Sequence, residues 1–61
     1  TAEDTIIAKL EWAKEGSSER QLTDVAGILR LRGETLDRVY LDRWIDALEL
    51  RAQWERALGL R

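Results

Sequence analysis

Apolar residues recur every three or four positions through residues 18–44, first as Leu22, Val25, Ala26 and Leu29, then as Leu41, Trp44 and Ile45. That spacing gathers them on one face of a helix, whereas strand side chains alternate between faces. Two helices and the turn between them are expected here, with the flanking segments serving as partners that cover them. No stretch of the chain alternates apolar and polar residues as a half-buried strand does. The fold class that follows is all-α, a small bundle of three helices plus a short fourth.

Size narrows this further. With 61 residues the chain makes one domain at most, and it contains no cysteine, histidine or proline. Disulfide staples and the usual zinc ligands are therefore absent. A scaffold this small without staples relies on close helix packing or on oligomerisation. Methionine is also missing, and Thr1 already sits at a helix start, so a processed chain or a portion of a longer protein is expected. The net charge is −2, with both signs interspersed. Non-specific nucleic-acid binding usually needs a basic stripe, so nucleic acid is not the expected partner. No apolar run approaches the roughly 20 residues of a membrane span. The lack of cysteine fits a cytoplasmic protein.

The helix limits follow from caps and phase. Thr1 suits an N-cap, with Glu3 and Asp4 at the positive end of the dipole. Ile6, Ile7, Leu10 and Ala13 carry the first stripe, Ala8 and Trp12 lie on a neighbouring one, and Gly16 is expected to stop the helix in a left-handed conformation. This gives a helix over 2–15. Ser18 and Gln21 form a capping box for a second helix over 19–32. Gly27 interrupts that helix at a cost of about 1 kcal/mol against alanine, which close approach of another helix would explain. Gly33 ends it. Asp37 caps a third helix over 38–48, and Leu36 is placed to staple onto Leu41. Leu48 continues the third stripe. Then the phase changes. Leu50, Trp54 and Leu58 form a new series, and at ~100° per residue Leu50 lies roughly 140° around from Ile45. A break near Glu49 and a fourth helix over 51–58, ended by Gly59, accounts for this better than one straight helix.

The charged and aromatic residues offer little chemistry. Asp42 and Asp46, four apart on the third helix, are placed to share a cation, although a solvated face is the ordinary outcome. Lys9 and Asp24 approach each other if the first two helices form an antiparallel hairpin, and an exposed ion pair is the simplest result. Arg30, Arg32, Arg38 and Arg43 surround the turn between helices two and three, which in outline resembles a helix-turn-helix. Trp12, Trp44 and Trp54 are many for so short a chain. Each reads as a core anchor, unless one small core cannot hold all three and the surplus marks an interface.

One resemblance is specific. Lys9, Leu10 and Trp12, then Ser18 through Gln21, Asp24 and Val25, Gly27 through Leu29, Gly33, Leu36 and Asp37, Tyr40 and Leu41, Arg43 and Trp44, and finally Glu55 through Leu58 resemble the C-terminal helical region of small bacterial nucleotidyltransferase-like proteins. These are related to the AbiEii-type toxins of toxin–antitoxin systems. The match covers nearly the whole chain. Glu49 departs from it, standing where many relatives have glycine, and Lys14 and Glu15 replace a more neutral segment. The resemblance implies a preceding α/β part that carries a Gly-Ser turn, a carboxylate pair, magnesium and the nucleotide. Lys9 and Asp24 match positions that face the nucleotide in such a parent.

Three expectations follow. The chain is a non-catalytic helical accessory or interaction module, with no cofactor or metal of its own. Its alternative is a helix-turn-helix-like DNA-binding module. Trp12, Leu50, Trp54 and Leu58 form an interface that docks on the α/β part, and in isolation this face makes the chain a homo-oligomer.

Overall fold

A computed structural model describes residues 1–16 and 19–61. These form four α-helices and one 3-10 turn, and no strand occurs among them. The helices are α1 (Ala2–Gly16), α2 (Glu19–Arg32), α3 (Arg38–Ala47) and α4 (Arg51–Leu60), with the 3-10 turn at Gly33–Thr35. None of the described helices is long and apolar enough to cross a membrane. The all-α class stands. The fourth helix is no short appendage, because α3 and α4 have ten residues each and α4 packs extensively on α2.

Thr1 caps α1 as its position indicates. Its Oγ1 accepts the Asp4 N–H at 3.1 Å, satisfying one of the orphan donors of the first turn. The capping box expected from Ser18 lies outside the described residues. α2 folds back along α1, and Ile6, Ile7, Leu10 and Ala13 meet Leu22, Val25 and Leu29 in a single buried cluster. Asp37 caps α3 by accepting the Tyr40 N–H at 3.0 Å. Leu36, just before the cap, is buried in the same cluster as Leu41, the two positions that a hydrophobic staple joins.

The glycines behave differently from their sequence reading. None has a positive φ, so Gly16 does not stop its helix in the left-handed region, while Gly33 follows the last residue of α2 as expected. After Gly33 the chain tightens into the 3-10 turn, where the Thr35 hydroxyl donates to the Arg32 carbonyl at 2.9 Å. Gly27 is not a close-packing glycine. A Cβ built there meets only the end of the Arg30 side chain, at 3.8 Å. Gly59 lies inside α4 rather than ending it.

The left-handed residue is Glu49, at φ 56°. It occupies the position after the C-cap Leu48, where glycine is most common. The Leu50 N–H donates to the Ile45 carbonyl at 2.8 Å and the Glu49 N–H to the Asp46 carbonyl at 3.2 Å. Those two bonds define a Schellman motif. Ile45 and Leu50, which it brings together, are both fully buried. Lys14 reaches across from α1 and donates to the carbonyls of Leu48 at 3.2 Å and Glu49 at 3.0 Å. A cation at the end of α3 also suits its dipole.

This turn corrects the expected interface. Leu50 and Trp54 are 0% and 4% exposed, and Leu58 is partly buried against the same core. The left-handed residue re-aims the chain, so the second apolar series faces inward alongside Ile45 rather than outward. Trp44 moves the other way. Expected on the core stripe, it is 40% exposed and sits at the edge of α3, tilted against Tyr40 with ring centroids 6.3 Å apart.

Candidate functional site

The hairpin of α1 and α2 brings Lys9 and Asp24 together. The Lys9 ammonium lies 3.2 Å from Asp24 Oδ2 and donates to Gln21 Oε1 at 3.4 Å. Gln21 is the buried polar residue among the described residues, at 9% exposure, and the Lys9 and Asp24 side chains are 28% and 44% exposed. A pair this open contributes at most about 1 kcal/mol, since solvent screens it. Its chemistry is that of a positioned cation at the module surface. Among the described residues no hydroxyl nucleophile joins it, and both charged ends already have partners.

A second constellation forms where α1 meets the start of α3, and the sequence reading did not assemble it. Glu3 Oε2 accepts the Asp37 N–H at 2.9 Å, and Asp4 Oδ1 accepts the Tyr40 hydroxyl at 2.5 Å. Together with Thr1 these residues border an open hollow of about 250 Å³. The Asp37 N–H holds the Glu3 carboxyl below its ordinary 4.5. The Tyr40 hydroxyl holds the Asp4 carboxyl below its ordinary 3.8, and the same bond raises the Tyr40 phenol above its ordinary 10.0. A general acid needs a carboxyl raised toward neutrality; these two move the opposite way. The cluster joins helices. The one signal for it in the sequence is Tyr40, which stands next to the stripe residue Leu41.

Asp42 and Asp46 do share a cation, and it is the guanidinium of Arg51. Arg51 Nη2 lies 2.6 Å from Asp46 Oδ1, and Nη1 lies 3.6 Å from Asp42 Oδ1. The pair therefore fastens α3 to α4. Arg56 of α4 is likewise paired with Glu19 of α2. No group of three or more potential metal ligands occurs among the described residues.

Of the expected interface residues, only Trp12 stays outside, at 63% exposure. Val39 at 81%, Leu31 at 87%, Leu60 at 45% and the edge residue Trp44 are the other exposed large apolar side chains among the described residues. Arg30, Arg32 and Arg38 line a common groove at the corner of α2 and α3, and Arg61 joins them from the other end of the chain. Arg43 does not. The sequence carried no signal for Arg61, which lies far from the others along the chain.

No protein-family model, curated protein or solved structure matches the chain.

Proposed function

We propose that the chain is a non-catalytic helical accessory module of a nucleotidyltransferase-like protein, docking on its neighbour through outward-facing tryptophan. The observation that carries this reading is the division of the tryptophans. Trp54 completes the core at 4% exposure, while Trp12 and Trp44 remain 63% and 40% exposed. Each large apolar side chain left in water forgoes about 1.5–3 kcal/mol of burial, so these two suit a contact surface. In isolation the same surface pairs two copies of the chain. Magnesium and nucleotide belong to the preceding α/β part in this reading, with Lys9 and Asp24 on the side turned toward it.

The helix-turn-helix alternative is disfavoured by α3. A reading helix must lay its outer face against phosphates and base edges. The outer face of α3 presents Asp42 and Asp46, whose side chains are 62% and 67% exposed. One guanidinium, that of Arg51, serves both carboxylates, so the pair still turns negative charge toward the duplex.

Light scattering across the micromolar range tests the reading. Mass should rise toward a dimer, and Trp12→Glu or Trp44→Glu should return it to the monomer with helicity intact. A monomer at every concentration, unaffected by either substitution, would refute the docking surface. Turnover of a nucleoside triphosphate that vanishes in Lys9→Ala would refute the non-catalytic assignment.

A further inference from the structure

The corner between α2 and α3 concentrates positive charge in a chain whose net charge is −2. Arg30, Arg32, Arg38 and Arg61 line one open groove of about 610 Å³, with Glu34 the single acid among its lining residues. Among the described residues none of these four arginines has a carboxylate within ion-pair distance. The pairs that form use Lys9, Arg51 and Arg56 instead. Positive potential is thus left unspent at one place while acids dominate elsewhere, an arrangement that focuses anions.

Two of the guanidinium groups are already held. Arg38 lies over the Trp54 ring, 5.8 Å from its centroid, with Nη2 4.0 Å from where a Cβ of Gly33 would be. Arg30 Nη1 donates to the Leu60 carbonyl at 3.4 Å. A guanidinium fixed in advance loses less freedom when it captures a ligand. The helix dipole explains Arg30 and Arg32, which close α2. It does not explain Arg38, which opens α3, the end where a cation is disfavoured. The groove also offers no open aromatic face, because Trp54 is buried beneath Arg38. It can recognise charge but gives a nucleobase nothing to stack on.

We propose that this groove binds a compact polyphosphate, two or three linked phosphate groups, either free or as the tail of a nucleotide. Guanidinium forks match phosphate oxygens in bidentate geometry. The site is distinct from Lys9 and Asp24 and does not depend on the docking surface. Calorimetry without magnesium, using tripolyphosphate, ATP and adenosine, tests it. Tripolyphosphate and ATP should bind with similar affinity, weakening as salt rises, and adenosine should not bind. Arg32→Gln and Arg38→Gln should each weaken binding about tenfold, the scale of one charge-assisted contact. Arg43→Gln, outside the groove, should leave it unchanged. Arg61→Gln replaces Arg38→Gln if losing the Trp54 contact unfolds the chain. Absence of binding at millimolar tripolyphosphate would overturn the site. So would an equal loss in Arg43→Gln, which would mean diffuse attraction, or tighter binding of a short single-stranded oligonucleotide, which would mean a nucleic-acid surface.

Discussion

Replacing Glu49 with glycine should stabilise this protein. Glu49 is held at φ 56°, a region that costs a residue with a Cβ roughly 1–2 kcal/mol and glycine almost nothing. Against that stands the greater freedom of glycine in the unfolded chain, about 0.4–1 kcal/mol. The side chain itself gives up little, since Glu49 is exposed and belongs to none of the ion pairs among the described residues. Lys14 is retained, because it donates to the main-chain carbonyls of Leu48 and Glu49 rather than to the carboxylate. The net gain should be about 0.5–1 kcal/mol, which for a domain of this size raises Tm by about 2–8 °C. Glu49→Ala is the control, because it also removes the charge from the end of α3 but keeps the strained Cβ. Urea unfolding followed by circular dichroism should give Glu49→Gly a higher midpoint than Glu49→Ala, with an unchanged slope. If the glycine variant is no more stable than the alanine variant, the left-handed residue is not a source of strain and the reasoning fails.

Gly27→Ala should also stabilise, by about 1 kcal/mol, because the added Cβ meets only the flexible end of Arg30; a loss of thermal stability would reveal a helix contact that the packing does not contain. The bond between Asp4 and Tyr40 should make stability depend on pH at both extremes. Asp4 is lowered from 3.8 and Tyr40 raised from 10.0. The Asp4 contribution is therefore complete above 3.8 and lost as pH falls through its lower folded value, while that of Tyr40 is complete below 10.0 and lost as pH rises past it. The stability difference between the native chain and Tyr40→Phe should be level near neutrality and shrink at either end. A difference that stays constant across the whole range would show that the bond does not form in solution.

The sequence was most informative where local chemistry decides the outcome. Thr1 and Asp37 cap as their residue types indicate, Leu36 is buried with Leu41 in one cluster, and the phase change after Leu48 marks a true break. It was least informative at the break itself. The face that α4 buries depends on a left-handed residue, and a glutamate at that position does not announce one. Gly16 suggests a left-handed stop and Gly27 a close helix contact, and neither occurs, because a glycine permits such arrangements without requiring them. With Leu50 and Trp54 turned outward in that reading, the interface was drawn on what is core. The arginine groove was half visible. Arg30, Arg32 and Arg38 surround one turn in sequence, but Arg61 reaches them only through the return of α4 across α2.

The two grips that α1 takes on α3 have a consequence for how the chain tolerates changes in length. Near its start, α1 holds Asp37 and Tyr40 through Glu3 and Asp4. Near its end, Lys14 holds the last carbonyls of α3 and the turn beyond. The first helix therefore acts as a ruler laid along the third, with marks at both ends. Adding or deleting one residue between Asp4 and Lys14 would turn the far mark by about 100° and move it about 1.5 Å along the axis, so that only one grip could close at a time. Substitutions on the outer face of α1 leave the ruler unchanged, but a change in its length does not, unless α3 changes with it. The two helices, whose gripped positions lie 34 to 36 residues apart in sequence, are bound to vary in length together.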